Sequence, residues 1–141
     1  MTPEALARAC ANAMWADDRA SAGLGMTLTA VAPGRATITM RVRDDMVNGL
    51  GLCHGGFIFT LADSTMAFAA NSHGERAVAQ HAAIDFLRPG KQDELLTARA
   101  EERARAGRTG LYDVRVTGED GTTVAEFRGQ TRTIGRFFAE G

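Results

Sequence analysis

The stretch His54–Gly74, HGGFIFTLADSTMAFAANSHG, decides how this chain folds. It is too long and too rich in alanine for one strand, it opens on two glycines after His54, and it ends at Gly74, a natural helix-stopping residue. The reading is a buried central helix over about residues 55–72. A helix this apolar must be covered on most sides, and a curved sheet wrapped around it would do so. Histidines aside, the stretch holds a single charged side chain, Asp63. A buried carboxylate is expensive unless it is paired, and no lysine or arginine lies within a helical turn or two of it.

Outward from the helix the text is β-rich. On the N-terminal side, Leu6, Cys10, Ala13 and Met14 fall at helical spacing behind Thr2 and Pro3, which predicts a short amphipathic helix over about residues 3–15. From Met26, MTLTAVAPGRATITMRV alternates on both sides of Pro33-Gly34 and reads as a hairpin. On the C-terminal side, AVAQHAAIDFL is strand-like and stops at Arg88, Pro89 and Gly90, and TGLYDVRVTGEDGTTVAEFRGQTRTI reads as a second hairpin around GEDG. ELLTARAEERARAGR stays open between helix, favoured by its propensity and a Glu101/Arg105 pair, and strand, favoured by its neighbours. The sum is one α+β domain over residues 1–141, with a mostly antiparallel sheet.

Composition narrows the function. A chain of 141 residues with 45% hydrophobic and 23% charged residues can build a substantial core without staples. Its formal charge of -1 gives no global attraction to nucleic acid or anionic membrane. The first residues do not resemble a secretory signal, and no window approaches the roughly 18 apolar residues of a membrane span, so a cytoplasmic location is expected. Cys10 and Cys53 read as free thiols.

Two readings of Asp63 stand side by side. With Ser64 and Thr65 it could form a polar stripe meeting solvent or capping a loop; alternatively it is a base or nucleophile in a low-dielectric cleft, its pKa pushed upward by desolvation. The glycines Gly55 and Gly56 weigh toward the second, because they let a ligand approach unpaired N–H groups at the positive end of the helix. Such an end suits an anion or a developing oxyanion. Cys53 and His54 stand just before it, and Asn48 opens an Asn-Gly turn. With a rise of about 1.5 Å per residue, Asp63 lies roughly 12 Å along the axis from Gly55. A nucleophile and an oxyanion donor must both come within about 3 Å of one reacting centre. If both act, the site is shared between two subunits whose helices run antiparallel about a two-fold axis.

At these residues, NGLGLCHGGFIFTLAD followed by IDFLRPG, GRTGLYDV and VAEFRG, the sequence resembles the hotdog-fold acyl-CoA thioesterases, most closely the phenylacetic acid degradation type, from about Leu24 to Ile134. The resemblance implies the hotdog fold, an antiparallel β-sheet wrapped around a long central α-helix, and tips Glu94–Arg105 toward strand. It implies dimers with a continuous sheet, often paired into tetramers, with active sites between subunits. By motif, Asp63 would be the catalytic carboxylate, Gly55 would donate its N–H to the thioester carbonyl, and Asn48 and His54 would position water, thioester or departing thiolate. The substrate implied is phenylacetyl-CoA or a hydroxylated relative. Gly56 and Phe57 would lie along it, with Phe57, Met66 and Phe68 as pocket or core residues, and Arg88, Lys91 and Arg108 as cations for the coenzyme A phosphates. Coenzyme A enters as part of the substrate, and neither a metal nor a separate cofactor is implied. The hydroxyl residue that some relatives carry in the strand after the helix is missing from VAQHAAIDF.

Other readings fit the residues less well. Cys53, His54, His73 and His81 lack the paired spacing of common zinc sites, and Ser21, Ser64 and Ser72 lie in no GxSxG elbow. A hotdog enoyl-thioester hydratase or dehydratase, or a non-catalytic acyl-CoA sensor, would share the fold.

Overall fold

The computed structural model describes residues 1–138; the last three residues of the domain expected over 1–141 lie outside the described residues. Helix α1 (Pro3–Asp17) is followed by a short α2 (Arg19–Gly23), the hairpin β1 (Thr27–Ala32) and β2 (Arg35–Arg41), the long helix α3 (Gly55–Ala70), and strands β3 (Glu75–Phe86), β4 (Leu95–Ala106), β5 (Thr109–Thr117) and β6 (Thr123–Arg136). The six strands form one sheet in the order β1-β2-β4-β5-β6-β3, every neighbouring pair antiparallel. The expected α+β arrangement, helix inside sheet, is therefore present.

Local chemistry sets the helix ends. Thr2 caps α1, its hydroxyl accepting from the Ala5 N–H at 3.0 Å, with Pro3 in the first turn. α3 ends at Ala70, two residues before the expected 72. A 3₁₀ turn, Asn71–His73, follows and stops at Gly74, whose φ of 87° is the left-handed conformation glycine adopts freely. Asn71 makes the earlier stop: its side-chain amide donates to the Ala67 and Ala77 carbonyls and accepts from the Ala77 N–H, tying the helix end to the start of β3.

The core lies between α3 and the inner face of the sheet. Ile58, Leu61, Met66 and Phe68 of α3 are buried against Ile38 and Met40 of β2, Leu96 and Ala98 of β4, Val114 and Val116 of β5, and Phe127 of β6. Leu96, Ala98 and Ala100 are buried at every second position, which is why Leu95–Ala106 is a strand despite its helix propensity. The pairing of β4 with both β2 and β5 supplies what a lone helix there would forfeit. α1 packs beside α3, with the Trp15 and Phe68 ring centroids 5.9 Å apart.

The fit between helix and sheet depends on Gly129 in β6, where an added Cβ would run into the Met66 side chain. Gly129→Ala is expected to cost about 1–3 kcal/mol by overpacking, read as a lower urea midpoint with unchanged slope.

One stripe of α3 escapes the cover. Gly56, Thr60, Asp63 and Ala67, spaced i, i+4, i+7 and i+11, are exposed or only half-buried, whereas the helix is otherwise mostly buried. The neighbouring edge strand β3 is twelve residues long and largely exposed, and it carries Val78 and Phe86 uncovered.

Candidate functional site

The loop before α3 is held by its own backbone. The His54 N–H donates to the Met46 carbonyl, Asn48 N–H to Leu52 and Cys53 N–H to Gly90, while Gly51 turns the chain at φ 77°. The Asn48 Oδ1 accepts from the Leu50 and Leu52 N–H groups at 2.9 and 3.2 Å, so the amide NH₂ is the part of Asn48 left to meet a ligand. His54 is the N-cap of α3. Its Nδ1 accepts from the Gly56 N–H at 2.9 Å, which places the ring proton on Nε2 and makes this exposed histidine a donor toward solvent. Gly56 is thus used by the cap. The Gly55 N–H, by contrast, makes no hydrogen bond among the described residues.

Gly55, Asn48, Leu52, Ile58, Phe86 and Leu87 line a groove of about 400 Å³. Phe86 leans over Gly55; a Cβ there would approach the ring to 3.0 Å. Phe86 joins the groove beyond the residues expected there; its signal in the sequence is an aromatic at the end of IDF, next to the RPG break, where a strand residue emerges at the sheet's edge. Cys53, also in this groove, is buried, and burial pushes its thiol up to about 11, with the Glu94 charge adding to the shift. It remains protonated at neutral pH and is no thiolate nucleophile.

Asp63 lies two turns further along α3, on the uncovered stripe. Its carboxyl is pushed above the ordinary aspartate range by burial, and no side-chain hydrogen bond or ion pair reaches it among the described residues. Its neighbour Ser64 is tied to Ser21 of α2 at 2.9 Å, so the polar stripe is split: Ser64 is structural, while Asp63 stays half-buried on the less covered side of α3. Among the described residues, then, α3 carries a carboxylate and an N–H that each lack a hydrogen-bond partner, about 12 Å apart along the axis and too far for one reacting centre to reach both within a single chain.

Comparisons with known proteins show the family. The thioesterase superfamily matches residues 50–125. The chain belongs to that superfamily. It is 43% identical over 125 residues to the acyl-coenzyme A thioesterase PaaI of Escherichia coli, covering 89% of each chain. The structure of the E. coli PaaI protein from the phenylacetic acid degradation operon superposes with a TM-score of 0.94 at 41% identity, over 96% of this chain and 98% of that one. A Streptococcus mutans protein solved with bound acetyl-CoA superposes at 0.76 with 28% identity, over 79% and 90%. The hotdog fold expected from the sequence is thereby shown, and with it a thioester hydrolase.

In this thioesterase the other expected substrate residues divide. Phe57 is half-buried and meets the edge of the His54 ring at 6.1 Å; Met66 and Phe68 belong to the core. Lys91 is exposed beside the Asn48 loop, its backbone bridged to Leu52. Arg108 is exposed in the β4–β5 turn, at the end of the sheet near Glu75 and away from the Phe86 end that covers Gly55. Arg88 departs most from the expectation of a phosphate cation. It donates to Glu94 at 2.8 and 3.1 Å, to Asp120 at 3.2 Å, to Thr122 and to the Pro89 carbonyl, so its guanidinium is spent on bracing the turns beneath the groove.

The hydrogen bond from Arg88 holds the Glu94 carboxyl below its ordinary range, so this pair stabilises the fold above the usual carboxylate pKa and is lost as pH falls through the depressed value. Arg88→Ala is expected to cost about 1–2 kcal/mol in urea unfolding, with KM for a coenzyme A ester within about twofold of wild type. The candidate zinc ligands do not converge: His73 bonds to Glu102 at 2.9 Å, and no group of three His, Cys, Asp or Glu side chains able to hold a metal ion occurs among the described residues. No helix among the described residues is long and apolar enough to cross a membrane.

Proposed function

We propose that this protein is a homo-oligomeric acyl-CoA thioesterase acting on phenylacetyl-CoA or its hydroxylated relatives, and that it works in the cytoplasm in the degradation of such aromatic acids. The observation that carries the reading is the pair of groups on α3, the Gly55 N–H and the Asp63 carboxylate, that are half-buried and without a hydrogen-bond partner among the described residues. The similarity to the E. coli acyl-coenzyme A thioesterase supports the substrate class.

In the proposed dimer, the β3 edges pair and continue the sheet, which suits a long, exposed edge strand carrying Val78 and Phe86. Asp63 of one subunit then faces the Gly55 N–H of the other. The thioester carbonyl oxygen accepts from that N–H at the positive end of α3, where the negative charge of the tetrahedral intermediate develops. Asp63 either takes a proton from the attacking water or attacks the carbonyl carbon itself to give an anhydride that water opens. In both routes the C–S bond breaks and the thiolate leaves and is protonated, giving a carboxylic acid and free coenzyme A. In this reading the Nε2–H of His54 and the amide NH₂ of Asn48 orient water or steady the departing sulfur; the local hydrogen bonds of Nδ1 and Oδ1 leave those donors available. A single turnover in ¹⁸O-water tests the covalent route: label in the Asp63 carboxylate marks an anhydride opened at the aspartyl carbonyl, because direct attack of water on the thioester puts label only in the product acid.

The test of the function is coenzyme A release from phenylacetyl-CoA and a panel of aliphatic and aromatic acyl-CoAs. Turnover highest with the aryl acetyl esters supports the reading. Tight binding without release would point to a sensor, and water addition to an enoyl-CoA would point to a hydratase.

A further inference from the structure

A second cavity, about 350 Å³, lies one helical turn from Asp63, under the start of β3 and beside α1. Its walls are mostly apolar: Met14 of α1, Ala67 of α3, Val78 of β3, Ile134 of β6, and Phe137 just after it. Ala67, which lines the cavity, is the next residue of the half-buried stripe after Asp63, about 6 Å further along the axis. The polar groups around this cavity are mostly engaged elsewhere. The Asn71 amide is tied to Ala67 and Ala77, Asp18 accepts from the Ser21 N–H and hydroxyl, and the Arg76 guanidinium lies 5.1 Å from the Phe137 ring centre. Only Asp17 stands at the rim, exposed and without a side-chain partner among the described residues.

We propose that this cavity receives the acyl group of the substrate, and that Met14 and Ala67 set the size it accepts. The inference rests on the thioesterase reading above and goes beyond it by naming the residues that choose the acid. A thioester carbonyl held between Asp63 of one subunit and Gly55 of the other has the cavity beside Asp63 about one turn away, while the second subunit's groove at Asn48 and Phe86 is left for the coenzyme side. A cavity of about 150 Å³ is enough to admit benzene, so an aryl acetyl group fits here with room to spare. The walls offer such a ring packing contacts and few polar groups to leave unpaired. Because α1 supplies one wall, the N-terminal helix takes part in substrate selection as well as in packing.

The test compares kcat/KM for phenylacetyl-CoA with that for acetyl-CoA in wild type, Ala67→Phe and Met14→Trp. Each substitution enlarges a lining residue, one on α3 and one on α1, and the ratio of the two constants is expected to fall by about tenfold or more. Should Ala67→Phe fail to fold, Met14→Trp, at a half-buried position outside the central helix, decides alone. A wild-type enzyme active on both esters, with ratios unchanged within about twofold in the folded variants, would overturn the acyl assignment and leave the thioesterase reading standing. A wild type inactive on both would overturn that reading, and this one with it.

Discussion

Asp63→Asn is expected to lower kcat by roughly 10³-fold, within the range that a positioned base contributes, while the protein becomes more stable. The substitution keeps the shape of the side chain, removes its charge and turns one acceptor oxygen into an amide donor. Burial raises the folded pKa of Asp63 above its unfolded value. At neutral pH the ionised group therefore opposes folding, and the penalty disappears as pH falls and the carboxyl is protonated. Asparagine carries no such penalty, so the melting temperature at neutral pH rises, and the gain over wild type shrinks toward acid pH. The same shift sets the pH profile of the active enzyme. Asp63 must be ionised to act, so the acid limb of kcat/KM should lie above the ordinary aspartate pKa. A variant that loses both activity and stability at neutral pH would show that Asp63 is instead a structural carboxylate.

Gly55→Pro should lower kcat by roughly 10²–10³-fold, the cost of one lost oxyanion donor, without unfolding the protein. Proline removes the N–H and nothing else that the fold uses, since that N–H has no partner among the described residues. The position suits it: Gly55 is the first residue of α3, where proline is well tolerated, and His54 before it has the extended backbone, φ -62° and ψ 129°, that a following proline requires. The Phe86 ring must yield a few tenths of an ångström, which an exposed side chain at the end of a strand can do. Gly55→Ala is the control: it places a Cβ against the same ring and keeps the N–H, so it should retain most of the activity that proline loses. Equal losses in the two variants would assign the effect to crowding by Phe86.

Much of this was legible in the text because it is local. A lone acid in an apolar helix, two glycines at the helix start and an Asn-Gly turn mark Asp63, Gly55 and Asn48 within one stretch of sequence. The role of Arg88 was not legible, because Asp120 and Thr122 reach it from a turn more than thirty residues away and only the folded sheet brings them together. The Leu95–Ala106 strand was ambiguous for the same reason: helix propensity is a property of the segment, whereas its pairing with Arg35–Arg41 and Thr109–Thr117 is a property of the sheet. The early end of α3 was hidden in Asn71, whose side chain acts as a cap only once β3 lies beside it.

The central claim is that each site takes Asp63 from one subunit and Gly55 from another, and mixed oligomers of two inactive variants test it most directly. Asp63→Asn and Gly55→Pro protein are unfolded together, refolded and assayed. In a mixed dimer one site carries both substitutions and the other carries neither. Random pairing makes half the dimers mixed, so activity should return to about one quarter of wild type. If the mixture stays as inactive as its components, although the mixed dimers have formed, both groups act within one chain and the shared site is wrong.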